Sequence, residues 1–201
     1  ASSAASDVYK RQVYNVSVDD RKGTILVNGV EGSRALAGDE ITVTETGSDE
    51  HHLFSSWELT SSTPLVNPSE NWQTSKEFTF KMPEGNVTLT ADYKQLYDLT
   101  VNGGTIVDET SETGTSKKIV KPGQLVTVRA ESTEENPFLQ WTHTGKAPVE
   151  PDDGWQTSPE FTFKMPNGNV TLDAQLDQLY KVSINDSLGS VTINGLSLIH
   201  I

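Results

Sequence analysis

Apolar and polar side chains alternate along most of this chain. Val16 and Val18 flank Ser17, Ile41 and Val43 flank Thr42, and Val126 and Val128 flank Thr127. Leu99 and Val101 repeat the pattern. Phe78, Phe80 and Met82 share one parity, with Thr79 and Lys81 on the other. Val87, Leu89, Ala91 and Tyr93 continue in the same way against Thr88, Thr90 and Asp92. Alternation of period two is the signature of a strand with one buried face. Turn-forming residues punctuate these runs at Asn28-Gly29, Pro83-Glu84-Gly85-Asn86, Asn102-Gly103-Gly104 and Lys121-Pro122-Gly123. No stretch carries a helical period. The predicted fold class is all-β.

The pattern repeats at long range. Trp72-Gln73-Thr74-Ser75 recurs as Trp155-Gln156-Thr157-Ser158, a shift of 83 residues. Across Trp72–Tyr97 and Trp155–Tyr180, 20 of 26 positions are identical, which sets the organisation of the chain. The opening of the unit occurs three times, at Tyr14, Tyr97 and Tyr180. Residues 13–95 and 96–178 are therefore read as two complete β-units of about six short strands each. Each is either a sandwich or a β-grasp-like domain without its helix. Residues 179–195 are read as the first hairpin of a truncated third unit, which cannot form a core alone. Two stretches look irregular. Thr60 to Asn71, matching Thr142 to Gly154, holds Pro64, Pro68, Pro148 and Pro151 and reads as a loop with one edge strand. Asp108 to Lys118 reads as a polar loop special to the second unit. Leu96 and Leu179 are expected to plug the junctions.

The termini stand apart from this pattern. Asp7-Val8-Tyr9-Lys10-Arg11-Gln12 and Leu196-Ser197-Leu198-Ile199-His200-Ile201 resemble a sequencing-library adaptor translated in frame. One DNA strand of that adaptor encodes the first peptide, and its reverse complement encodes the second. The resemblance implies that 1–12 and 196–201 are not native and that the remainder is a metagenomic-type fragment of a longer reading frame. Both ends are set aside in the fold reasoning.

Composition sharpens the β reading. Between the two ends, Thr and Val supply 40 of 183 residues and Ala only 6, which suits pleated strands and not helices. The net charge of -13 argues against nucleic acid or an anionic membrane as partner. No apolar run approaches the roughly 20 residues of a membrane helix, so a membrane-embedded chain is not expected. The chain has no cysteine, which excludes disulfides, thiolate metal sites and thiol nucleophiles.

The repeated unit resembles the divergent internalin-type B-repeat domains of bacteria. The residues that carry the resemblance are the opening Tyr with alternating Val, Gly123 to Val128, the Phe-x-x-Trp of Phe54–Trp57 and Phe138–Trp141, and the closing run from Phe78 to Leu89 and from Phe161 to Leu172. The resemblance implies tandem units of a bacterial extracellular, cell-wall or secreted protein, serving as stalk or adhesive spacer. It implies adjacent repeats as partners in the same chain, and a host or cell-wall glycan or protein as a further partner. The sequence departs from a helix-bearing β-grasp in lacking a clear helix.

Candidate chemistry is sparse. Phe54, Trp57, Phe78, Phe80, Met82, Phe138, Trp141, Phe161, Phe163 and Met165 are assigned to the cores. Trp72 and Trp155 end a Pro-rich loop among polar residues, and are the candidate ligand-binding positions, able to stack on a sugar or mark a partner surface. The alternative function is accordingly a carbohydrate- or protein-binding module, or an appendage of a secreted enzyme. Their other reading is that they cap the core. His51 and His52 are adjacent and would face opposite sides of a strand, and His143 has no counterpart in the first unit. The acidic pairs Asp19-Asp20, Asp49-Glu50, Glu134-Glu135 and Asp152-Asp153 lack calcium-loop spacing. Lys81 and Lys164 fall on the outward parity, away from a buried cross-link. No nucleophile elbow, zinc-helix motif or phosphate loop occurs. No catalytic residue, metal site or cofactor is predicted.

Overall fold

The computed structural model describes residues 12–19, 22–108 and 111–180, so the adaptor-like ends, apart from Gln12, and all of the expected third hairpin beyond Tyr180 lie outside the described residues. The molecule is all-β, and no α-helix occurs among the described residues. Eight strands build the first unit: β1 Val13–Val18, β2 Gly23–Val27, β3 Val30–Glu31, β4 Arg34–Leu36, β5 Glu40–Glu45, β6 His52–Leu59, β7 Glu77–Lys81 and β8 Val87–Gln95. Eight more build the second: β9 Tyr97–Asn102, β10 Gly104–Asp108, β11 Ser111–Thr115, β12 Lys117–Val120, β13 Leu125–Ala130, β14 Phe138–Gly145, β15 Glu160–Lys164 and β16 Val170–Leu176.

The two units share one topology. In the first, one sheet has the order β4-β1-β8-β6 and the other β3-β2-β5-β7. In the second, the orders are β12-β9-β16-β14 and β11-β10-β13-β15, a strand-for-strand match. The side chains that alternate inward from both sheets of a unit form one core. Val16, Trp57, Leu89 and Ala91 from one sheet of the first unit meet Ile41, Val43, Phe78 and Phe80 from the other. Leu99, Trp141 and Leu172 meet Ile106, Val128, Phe161 and Phe163 in the second. Each unit is thus a small two-sheet sandwich, with its β1 or β9 running parallel to β8 or β16 and every other pairing antiparallel.

The count of eight strands corrects the expected six. The missed strands are β3 and β4, of two and three residues, and their counterparts β11 and β12. The polar stretch 108–118 is therefore mostly strand, with β11 paired to β10 and β12 to β9. β11 meets β10 at Ile106↔Thr115 and Asp108↔Ser111. Thr60 to Asn71 behaves as expected: Val66 makes a single bridge to Lys81, as Val149 does to Lys164. Of the expected core residues, Phe138 departs from the reading. Its counterpart Phe54 is buried with Tyr93 edge-on at 6.1 Å, whereas the second unit has Leu176 there and Phe138 stays half-buried. Leu96 is half-buried, but Leu179 is exposed.

Glycine makes room for each core tryptophan. A Cβ on Gly23 would lie 3.0 Å from Trp57 Cη2, and one on Gly104 only 2.8 Å from Trp141 Cη2 and 2.6 Å from the Arg129 carbonyl oxygen. These two positions open β2 and β10, where the strand crosses the indole.

Candidate functional site

The motif Trp-Gln-Thr-Ser is repeated without change outside the strands, and the structure shows what its residues do. The chain leaves β6, passes the proline-rich loop and returns beneath the core indole. There the Trp57 amide donates to the Gln73 carbonyl at 2.6 Å and the indole Nε1 donates to the Ser75 carbonyl at 2.9 Å. The second unit repeats this with Trp141, at 2.7 Å to Gln156 and 3.0 Å to Ser158. Thr74 and Thr157 close the turn by donating to the carbonyls of Asn71 and Gly154. Asn71 and Gly154 carry positive φ angles of 54° and 69°, a backbone that Asn and Gly tolerate. Ser75 and Ser158 donate to the carbonyls of Glu77 and Glu160, both at 2.5 Å, and so lock the loop to the strand that follows.

Trp72 and Trp155 sit at the head of this loop and are half-buried. Trp72 packs on Phe78 with ring centroids 5.3 Å apart, and Trp155 on Phe161 at 5.0 Å. His143 adds a third ring beside Trp155 at 6.0 Å. The ring face directed at the core is thus occupied in both units.

The histidines and acids hold local structure. Asp49 accepts the amides of His51 and His52 at 2.8 and 2.7 Å, and its carboxylate lies 2.9 Å from His52 Nδ1. Those bonds, led by the one to His52, hold Asp49 below the usual carboxylate range. Asp152 accepts the Thr162 amide at 2.8 Å, and Asp19 accepts the Thr90 hydroxyl at 3.0 Å. Glu134, Glu135 and Asp153 are exposed. Among the described residues, no three His, Asp or Glu side chains converge in metal-binding geometry. Lys81 lies 3.5 Å from Glu40, and Lys164 pairs with Glu150, both on the outer face.

One polar cluster escaped the sequence reading. Glu45 ends β5 on the inward parity and is buried. Its carboxylate accepts the Tyr93 hydroxyl at 2.9 Å, the Ser48 amide at 2.5 Å and the Ser48 hydroxyl at 2.8 Å. Lys76 Nζ stands 3.7 Å away, and Lys22 lies over the Tyr93 ring at 5.1 Å. Burial opposes the charged form of Glu45, but the bonds from Ser48 and Tyr93 outweigh it and its carboxyl falls below the usual range. Burial and then the Glu45 bond push the Tyr93 hydroxyl up to about 12. The second unit has Ala130 and Leu176 at these two positions, an apolar pair for a polar one.

A family model described as divergent InlB B-repeat domain matches the chain twice in tandem, over residues 14–96 and 97–178. No curated protein matches the chain.

Proposed function

We propose, from the premise that this chain belongs to the divergent InlB B-repeat family, that it is a non-catalytic repeat segment of a bacterial cell-surface or secreted protein, where it serves as a load-bearing spacer. The observation that carries this reading is the pairing of the first strand of each unit with its last. β1 runs parallel to β8 and next to it, in register Val16↔Val87 to Val18↔Leu89. β9 runs likewise beside β16, from Leu99↔Val170 to Asn102↔Asp173. A unit pulled by its ends is therefore loaded at the near end of one strand and the far end of its neighbour. The hydrogen bonds between them are sheared together and are not peeled one at a time. Side chains reinforce the seam. Ser17 bonds Thr88 at 3.3 Å, Asp19 bonds Thr90, and Asn102 bonds Asp173 at 2.8 Å. Asn86 and Asn169 accept the amides of Asn15 and Asp98 at 2.8 and 3.0 Å.

The connection between units supports the same role. β8 ends at Gln95 and β9 begins at Tyr97, so a single residue, Leu96, separates the last strand of one core from the first strand of the next. Trp72 and Trp155 spend a ring face on Phe78 and Phe161, which favours a structural use over ligand stacking. The acidic surface would keep neighbouring copies apart.

Single-molecule stretching of the whole chain tests the proposal. Two discrete unfolding peaks are expected, each releasing one unit. Disrupting the seam with Val16→Pro should abolish the first unit's peak while leaving the second. Smooth extension at low force, with no peaks, would remove the load-bearing reading. Binding to a glycan array through Trp72 and Trp155 would favour the module instead.

A further inference from the structure

Asn-Gly is the dipeptide in which a main-chain amide most readily attacks the side chain before it, because glycine has no Cβ to keep the two apart. Three such pairs lie among the described residues: Asn28-Gly29, Asn102-Gly103 and Asn167-Gly168. The fold treats them differently. Asn28 donates its side-chain amide to Asp39 at 3.0 Å, and its side-chain oxygen accepts the Glu40 main-chain amide at 3.0 Å. Asn102 ends β9 in register with Asp173, and its side chain donates to that carboxylate at 2.8 Å. Both side chains are tied down by these bonds. Asn167 lies outside the strands, in the turn between β15 and β16, and is exposed. Among the described residues nothing hydrogen-bonds to its side chain or to the Gly168 amide. The stem of Lys146 lies over Gly168, but that side chain is itself exposed and flexible.

The same asparagine borders the joint between the units. At this joint the His51 carbonyl accepts the Leu96 amide at 2.7 Å, and His51 Nε2 lies 3.1 Å from Asp98 Oδ1 on β9. An open recess there, of about 410 Å³, is lined by Lys94 and Gln95 of the first unit and by Lys121, Pro122 and Asn167 of the second. Its lining includes two cations and no acid, in a chain whose net charge is -13. Neither lysine has an ion-pair partner among the described residues. The first unit carries Glu84 at the position that matches Asn167, so the repeat accommodates an acid at this corner.

We propose that Asn167 is a site of spontaneous deamidation, and that the reaction places a carboxylate between the two units in the company of Lys94 and Lys121. The Gly168 amide nitrogen loses its proton and attacks Asn167 Cγ. The new N–Cγ bond forms as the Cγ–Nδ2 bond breaks, and Nδ2 leaves as ammonia with that proton. Water then opens the cyclic imide. Its oxygen adds to Cγ to give an aspartate, or to the Asn167 main-chain carbonyl carbon to give the β-linked isomer. One water proton returns to the Gly168 nitrogen. Water is the sole co-reactant, and nothing is oxidised or reduced. Either product sets a negative charge beside two positive ones, an attraction that reaches Lys94 across the joint. The reaction proceeds whether or not the chain bears load.

Trypsin places the three asparagines on separate peptides, 23–34, 95–117 and 165–181. The whole chain is held folded at mildly alkaline pH, where the Gly168 amide loses its proton more readily, and is then digested. Mass measurement of each peptide reads the conversion of amide to acid. Asn167 should convert several-fold faster than Asn28 or Asn102. In urea only the shared Asn-Gly sequence remains, and the three rates should converge. Equal rates in the folded chain, or the same ranking in urea, would overturn the site. Asn167→Asp installs the product directly. By NMR its carboxyl should titrate lower than in N167D/K94Q/K121Q, and the gap should shrink with added salt. Identical titrations in the two variants would overturn the contact at the joint.

Discussion

Glu45 and Tyr93 show how a single pair can set one repeat apart from its neighbour. A buried carboxylate is tolerated because Ser48 and Tyr93 donate to it, and Lys76 stands near. Removing one partner leaves the other with an unmet polar group, whereas removing both restores the apolar arrangement of Ala130 and Leu176. Glu45→Ala should therefore destabilise the first unit by about 1.5–3 kcal/mol, the scale of hydrogen bonds to a charged group. Glu45→Ala/Tyr93→Leu should recover most of it. The pH dependence follows from the direction of the shift. The folded carboxyl titrates below its unfolded value, so its contribution is complete above the unfolded value and disappears as pH falls through the folded one. The wild-type chain should lose stability toward acid more steeply than the double variant. Urea titrations at neutral and acidic pH measure both effects, and equal acid slopes would refute the assignment.

At the scale of the element, the Trp-Gln-Thr-Ser loop behaves as part of the core. Trp72→Ala or Trp155→Ala should cost its own unit about 2 kcal/mol, less than the roughly 3–5 of a fully buried tryptophan because the ring is half-buried. Chemical denaturation checks this, and unchanged stability would return these indoles to a binding role. The loop also marks how far the sequence could be read. Alternation revealed β5, β7 and β8 because one parity of each is buried. β3 is too short for a period, and the Ser-Glu-Thr-Gly-Thr of β11 shows no apolar alternation, so it is their backbone pairing that reveals them as strands. The motif was visible as a repeat, but its task was not, because its hydrogen bonds to Trp57 use main-chain carbonyls of Gln73 and Ser75. Gly23 and Gly104 were hidden for a related reason: only the fold shows which indole passes over them. The Glu45–Tyr93 pair was missed because its members lie 48 residues apart and Tyr93 continued an apolar parity.

At the scale of the whole molecule, two cores with no shared member are joined through one residue and a charge contact. Such an arrangement is quasi-one-dimensional, its stability being a sum of unit terms and one interface term. The interface here is small and partly polar, so damage to one unit should stay in that unit. Gly104→Ala provides the damage. Its added methyl would meet the Arg129 carbonyl oxygen at 2.6 Å, a backbone atom that cannot swing aside, as well as the Trp141 ring. Overpacking of this kind costs about 1–3 kcal/mol. Gly23→Ala is milder, since its nearest atoms are at 3.0 Å and beyond. Hydrogen exchange can follow β5 and β13 separately in the same chain. Gly104→Ala should shorten the protection of β13 while leaving β5 unchanged, and its denaturation curve should divide into two steps. Equal loss of protection in both strands would mean that the two units unfold as one cooperative block, and that the joint carries far more energy than a single linking residue and an exposed ion pair can supply.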